Sequence, residues 1–220
     1  MQAYLLTILI LLPTLGAVAL VGHGLVYKRE SHYRWIALLF SVATFALSLL
    51  LLGGGGREAG GFRFVEDVTW ISSINSRYHI GVDGISLWLV LLTTLLVPIS
   101  ILSSWTSVTK RQLSYYVFLL ILESAMIGVF VSLDLLVFYL FFEASLVPMF
   151  FLIGIWGGKE RVYAATKFFI YTAIGSLLML AGIISLYFIF DSWDYVAIVE
   201  ALRGGTRGYT NDAEFWLFLA

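Results

Sequence analysis

Cysteine is absent from this chain of 220 residues, and its absence excludes several chemistries at once. There is no thiolate for an iron–sulfur cluster, no disulfide and no cysteine-based zinc site. The three histidines, His23, His32 and His79, lie far apart without metal-ligand spacing, so haem or metal ligation by them is not expected. Charge is scarce as well, at 12% of residues, against about 25% in an ordinary soluble domain. No phosphate-binding glycine loop, dinucleotide fingerprint or nucleophile–base constellation is present, which disfavours a hydrolase or an ATP-driven pump. The chain carries no cofactor site of its own on this reading, and no nucleic-acid partner is expected.

What the sequence has in abundance is apolar length. Hydrophobic residues make up 60% of it and the mean hydropathy is +0.95. Runs long enough to cross a hydrocarbon core of about 30 Å recur at 3–26, 35–52, 85–105, 113–133, 135–156 and 163–190. A further run begins at Phe215 and reaches Ala220 after six residues, about 9 Å of helix, so the chain is expected to end inside a seventh span. The fold class is therefore all-α: a polytopic transmembrane bundle of six complete spans, an incomplete piece of a larger membrane domain occupying residues 1–220. The first run lacks a basic leader and is too long for a signal peptide, so it reads as a retained span.

The distribution of basic residues orients the bundle. Connections after the first, third and fifth spans carry Lys28, Arg29 and Arg34, then Lys110 and Arg111, then Lys159 and Arg161. The opposite side is acidic, with Glu66, Asp67, Asp83, Asp134, Asp191 and Asp194 among its residues. By the positive-inside rule the basic side is cytoplasmic and the N-terminus lies outside. A multi-pass protein of a bacterial inner membrane, with the lipid bilayer as a partner, is the expected setting. Trp35, Trp70, Trp105, Trp156 and Trp193 lie near span ends, as interfacial anchors do. Residues 53–80 combine glycine turns with partial alternation, which suits a short interfacial hairpin, and residues 191–214 read as a loop with one helical turn.

Glu143 is the residue that says most about function. It lies near the centre of the span at 135–156, where an ionisable side chain costs roughly 2.5–3.5 kcal/mol to insert. Such a group usually faces a bundle interior or a wet cavity and handles protons or ions. Pro148 removes the backbone donor for the Ala144 carbonyl, favouring a kink and a place for water beside the acid. Tyr139, four residues earlier, shares its face and is placed to hydrogen-bond it. Glu123 lies ten residues before Leu133 and Glu143 ten after, so both sit about 15 Å from one surface. If the two face each other, their titrations couple. Otherwise one is a structural acid bonded to a neighbouring helix. Lys167 is the one basic residue inside a span; it stands either in a proton path or with its stem snorkelling to the nearby interface.

Several segments carry a resemblance. They are Tyr78 to Leu87, Gly128-Val129-Phe130 with Asp134, Phe141-Phe142-Glu143-Ala144 with Leu146-Val147-Pro148-Met149, and above all Ala165 to Thr172. Together they resemble the N-terminal half of the subunit M family of NADH:quinone oxidoreductases, respiratory complex I, called chain 4 in organelles. The resemblance implies a fourteen-helix, antiporter-like subunit of the membrane arm, assembled with other membrane-arm subunits. It also implies proton translocation driven by distant NADH oxidation and quinone reduction, with FMN, iron–sulfur clusters and quinone held in other subunits. Glu143 matches the family's central fifth-helix carboxylate, whose lysine partner on the seventh helix would lie beyond Ala220. Glu123 has no assured counterpart. Two alternatives accompany this reading: a subunit of a multi-subunit cation/proton antiporter, and a truncated scaffold that transports nothing.

Overall fold

A computed structural model describes residues 4–26, 30–54 and 61–204. The expected start of a seventh span at 215 lies outside the described residues. Among the described residues six helices are long and apolar enough to cross a membrane: α1 Leu5–Val26, α2 Glu30–Ser48 with its continuation to Gly53, α3 Ser86–Ser103, α4 Gln112–Val131, α5 Leu135–Trp156 and α6 Arg161–Phe190. Helix is the required form here, because backbone polar groups in lipid must be satisfied within their own segment. The ends agree with the hydropathy runs to within a few residues. The exception is α2, which starts earlier, on polar residues at the basic end, and continues as a 3-10 turn over Leu49–Gly53.

Packing radiates from α4. It lies against α1 most extensively, against α5 on another side, and against α2 and α3 on a third, while α6 packs on α5. Glycines allow close approaches between helices. At Gly16 a methyl group would stand 2.7 Å from Phe40, and at Gly128 it would enter the ring of Phe141, so α4 and α5 meet closely at Gly128. Leu6, Leu9, Leu51, Val90 and Ile127 form an apolar cluster near one end, and Leu20, Tyr33, Ile101, Tyr116 and Leu120 another near the basic end.

The connection at 53–80 forms the expected hairpin. Strands β1 Arg63–Ile71 and β2 Ser76–Val82 are antiparallel, with Glu66 opposite Ile80 and Asp67 opposite His79. Asn75, left-handed at φ 55°, closes the turn. Residues 191–204 depart from expectation. The structure has α7, Tyr195–Arg203, nine residues rather than one turn, N-capped by Asp194, whose side chain accepts from the Ala197 amide. Its apolar side is short and only Ile198 is buried, so a hydropathy window sees a loop.

Every helix that begins on the hairpin face has a carboxylate at its start. Glu66 accepts from the amides of Leu6 and Thr7 at 2.8 and 3.2 Å, at the start of α1. Asp83 accepts from the amides of Ile85 and Ser86, while its own amide donates to the Ser86 hydroxyl, at the start of α3. Asp134 accepts from Leu136 and Val137 for α5, and Asp194 serves α7. Four orphan amides and the positive end of the helix dipole make these positions favourable for acids.

Candidate functional site

Glu143 sits in α5, eight residues or about 12 Å of rise past Leu135, and is half-buried. Tyr139, one turn earlier, interacts through its hydroxyl with the Glu143 carboxyl and with the hydroxyl of Ser176 on α6. Ser176 is itself buried and donates to the Ala173 carbonyl at 3.0 Å. The Tyr139 hydroxyl therefore stands between the Glu143 carboxyl and the α5–α6 seam, where it can pass or accept a proton. Pro148 is buried within α5, so the Ala144 carbonyl lacks its usual intrahelical donor next to the acid. Asp134 fixes the start of this helix and hence the depth of Glu143.

Glu123 and Lys167 occupy other faces. Glu123 is fully buried, and neither carboxyl oxygen has a hydrogen-bond partner among the described residues. The α4 face toward α5 is marked by Gly128 against Phe141. Glu123, five residues earlier, is turned about 140° from it by helix geometry. Equal depth in the membrane thus does not bring Glu123 onto the α4 face that meets α5. Lys167 is exposed, its ammonium 5.7 Å from the Tyr163 ring. The α6 face toward α5 carries Ala165, packed by Gly154, and Ser176. Nine residues separate Lys167 from Ser176, a rotation of about 180°, so Lys167 lies on the far side of α6. There it lines an open groove of about 420 Å³ with Tyr163, Thr166, Ile170, Tyr171 and Ile174. Glu123, Glu143 and Lys167 thus stand on faces that do not meet.

Comparison with known proteins adds to this geometry. Residues 132–220 match a family model described as NADH:quinone oxidoreductase/Mrp antiporter, TM. NADH-quinone oxidoreductase subunit M of Rhodobacter capsulatus is 48% identical over 198 residues, which is 89% of this chain and 38% of that protein. NADH-ubiquinone oxidoreductase chain 4 of Mycosarcoma maydis is 41% identical over 197 residues, 88% of this chain and 40% of that one. The chain belongs to the subunit M and chain 4 family. It spans about two fifths of the length of those relatives. Among solved structures, respiratory complex I from Thermus thermophilus matches with a TM-score of 0.78 and 25% identity, covering 97% of this chain and 42% of that one. The likeness to these proteins and the six apolar helices make it an integral membrane protein.

In this subunit M-family chain the hairpin face joins residues that the sequence shows only singly: Asp83 and Asp134 are expected as helix caps from the sequence, but their neighbours' pairings are not. Asp134 is buried; besides capping α5 it accepts from the Arg77 amide at 2.9 Å and the Ser76 hydroxyl at 3.3 Å on β2. His79 pairs with Asp194 at 2.5 Å, and its carbonyl accepts from the Leu133 amide. Leu135 donates to Trp193 and Tyr195 to Leu133, so β2, the α4–α5 turn and the α6–α7 turn form one knot. Burial works against the charged form of His79, but the hydrogen bond and charge of Asp194 outweigh it and hold the ring above its ordinary 6.5. Burial likewise opposes ionised Asp194, yet His79 and the α7 amides hold it below the usual carboxylate range. The signal that finds Asp194 is the one that marks Asp83 and Asp134, an aspartate just before an apolar or amphipathic run.

Proposed function

We propose that this chain is the N-terminal portion of a membrane-arm subunit of proton-pumping NADH:quinone oxidoreductase, with Glu143 as its proton-carrying carboxyl. The observation that carries the reading is Glu143 itself. A half-buried acid at mid-span in α5 stands beside the Tyr139 hydroxyl, which also reaches Ser176 of α6, within a subunit M-family chain. An uncompensated carboxylate at this depth is costly, so it persists where a proton or counter-charge comes and goes. Pro148 and the free Ala144 carbonyl supply a polar notch beside it. Glu143 takes up one proton from the cytoplasmic side and releases it when a neighbouring charge changes. Lys167, on the open face of α6, stands where a further segment of the longer protein would meet it and is a second candidate for the path.

The chain has no cysteine, so electron transfer would take place elsewhere, with FMN, iron–sulfur clusters and quinone in other subunits. The basic ends near Lys110, Arg111, Lys159 and Arg161 would face the cytoplasm of a bacterial cell, and the hairpin and N-terminus the outside. Other membrane-arm subunits would be its partners. The test is Glu143→Gln in the full-length protein within its complex. Assembly and quinone reduction by an artificial donor should persist while redox-driven proton translocation is lost; undiminished translocation would overturn the role.

A second reading is kept because the matching family model is described for Mrp antiporters as well. In that case membrane vesicles carrying the full-length protein would exchange sodium for protons without any redox substrate. Absence of such exchange, with NADH-driven pumping present, decides for the first reading.

A further inference from the structure

Glu123 lies on a side of α4 that the Glu143 reading leaves unused. Tyr116 precedes it by seven residues, within about 20° of the same face. Tyr116 points into the cluster of Tyr33 and Ala37 from α2 and Ile101 from α3, so Glu123 is directed to the seam where α2 and α3 meet α4. That seam is lined with buried hydroxyls. Ser41, Thr44 and Ser48 share one stripe of α2, and Thr94 stands on α3, each at 0% exposure. Ser48 and Thr94 are hydrogen-bonded to each other at 2.8 Å. Thr94 is eight residues into α3 from Ser86, and Glu123 eight residues back from Val131, so both lie about 12 Å from the hairpin-side ends of their helices. At this level Pro98 deprives the Thr94 carbonyl of its intrahelical donor.

The seam is polar toward one end only. Toward the basic end the same α4 face carries Tyr116, buried beside Tyr33 and Ile101, and Gln112, which accepts from Arg34 at 3.3 Å. Toward the hairpin end it is closed by Leu6, Leu9, Leu51, Leu87, Val90 and Ile127. An ionised carboxylate with no partner in such a place is far costlier than a neutral acid, which needs only one acceptor for its proton.

We propose that Glu123 is a second proton-binding carboxyl, loaded from the basic side along the α2–α3–α4 seam and sealed from the hairpin side. The step is a single proton transfer. A carboxylate oxygen takes a proton from water admitted at the basic end, forming a neutral acid, and the same O–H bond breaks when the proton is returned. This rests on the proton-carrying reading of the chain, but its site is a different face of α4 from the one that meets α5.

The experiment is turnover-induced infrared difference spectroscopy on the assembled complex containing the full-length protein, in H2O and D2O. The wild type should show a carboxylic C=O band, shifted by deuterium, that disappears in Glu123→Gln and returns displaced in Glu123→Asp. Glu143→Gln should keep that band while losing its own. A Glu123→Gln spectrum identical to wild type overturns the proposal, as does a band that neither responds to turnover nor shifts in D2O, which marks a merely structural acid. Loss of the Glu123 band in a protein where Glu143→Gln still pumps would sink the Glu143 role and leave this inference standing.

Discussion

The hairpin face and the membrane interior treat their acids in opposite ways. On the hairpin face Glu66, Asp83, Asp134 and Asp194 each receive backbone amides at a helix start, and Asp134 also binds the hairpin. In the interior Glu143 is met by the Tyr139 hydroxyl, and Glu123 by no hydrogen-bond donor among the described residues. Amide-capped acids are fixed in place, and the bonds to Asp83 and Asp194 hold those two below the usual carboxylate range, which suits architecture. Where an apolar interior supplies no such donors, charge on an acid is compensated by a proton or a counter-charge, which suits proton exchange. The acidity of one side of this molecule is therefore largely capping, and its chemistry lies in the acids that cap nothing.

Stability measurements on the purified full-length protein can break that contrast. Asp134→Ala should be the most damaging change on the hairpin face. It removes the cap of α5 and leaves the amides of Leu136, Val137 and Arg77 unpaired, costing about 3 kcal/mol in thermal or chemical unfolding. A loss as small as that of an exposed substitution would mean the knot is not structural. Gly128→Ala comes next, because the added methyl meets the Phe141 ring where α4 and α5 touch. Overpacking of about 2 kcal/mol is expected, read as a lowered unfolding midpoint.

His79→Gln should cost about 1 kcal/mol, and its effect should depend on pH. The folded pKa of His79 is raised, so its share of the link is complete below about 6.5 and lost as pH rises through the folded value. The folded pKa of Asp194 is lowered, so its share is present above the ordinary 3.8 and lost as pH falls through the folded value. Wild type and His79→Gln should therefore differ most in mildly acidic buffer and converge in alkaline buffer. Arg77→Ala, which breaks an exposed pair with Asp67 at 2.7 Å, should change stability by no more than about 0.5 kcal/mol.

How much of this was readable in the residues depends on the length scale of the signal. The span 135–156 agrees with α5 at both ends, because Asp134 starts it and Gly157 follows its last residue. A hairpin within 53–80 followed from partial alternation, though its turn is closed by Asn75 and not by a glycine. The nine residues of α7 did not, since a short interfacial helix has too few apolar positions to stand out. Depth was readable too, because 1.5 Å per residue places Glu123 and Glu143 at one level. Direction was not. Which face of α4 meets α5 is decided by Gly128 and Phe141, and which face of α6 meets α5 by Ala165 and Gly154, contacts between helices that no single-helix pattern encodes. The hydroxyls of the α2–α3 seam looked like scattered polar residues until the bundle aligned them.

The most direct measurement compares redox-driven acidification by vesicles whose full-length subunit carries Glu143→Gln or Glu143→Asp. The account predicts no net proton movement with glutamine and a reduced but measurable rate with aspartate, electron transfer by an artificial donor continuing in both. Acidification at the wild-type rate with glutamine would contradict it.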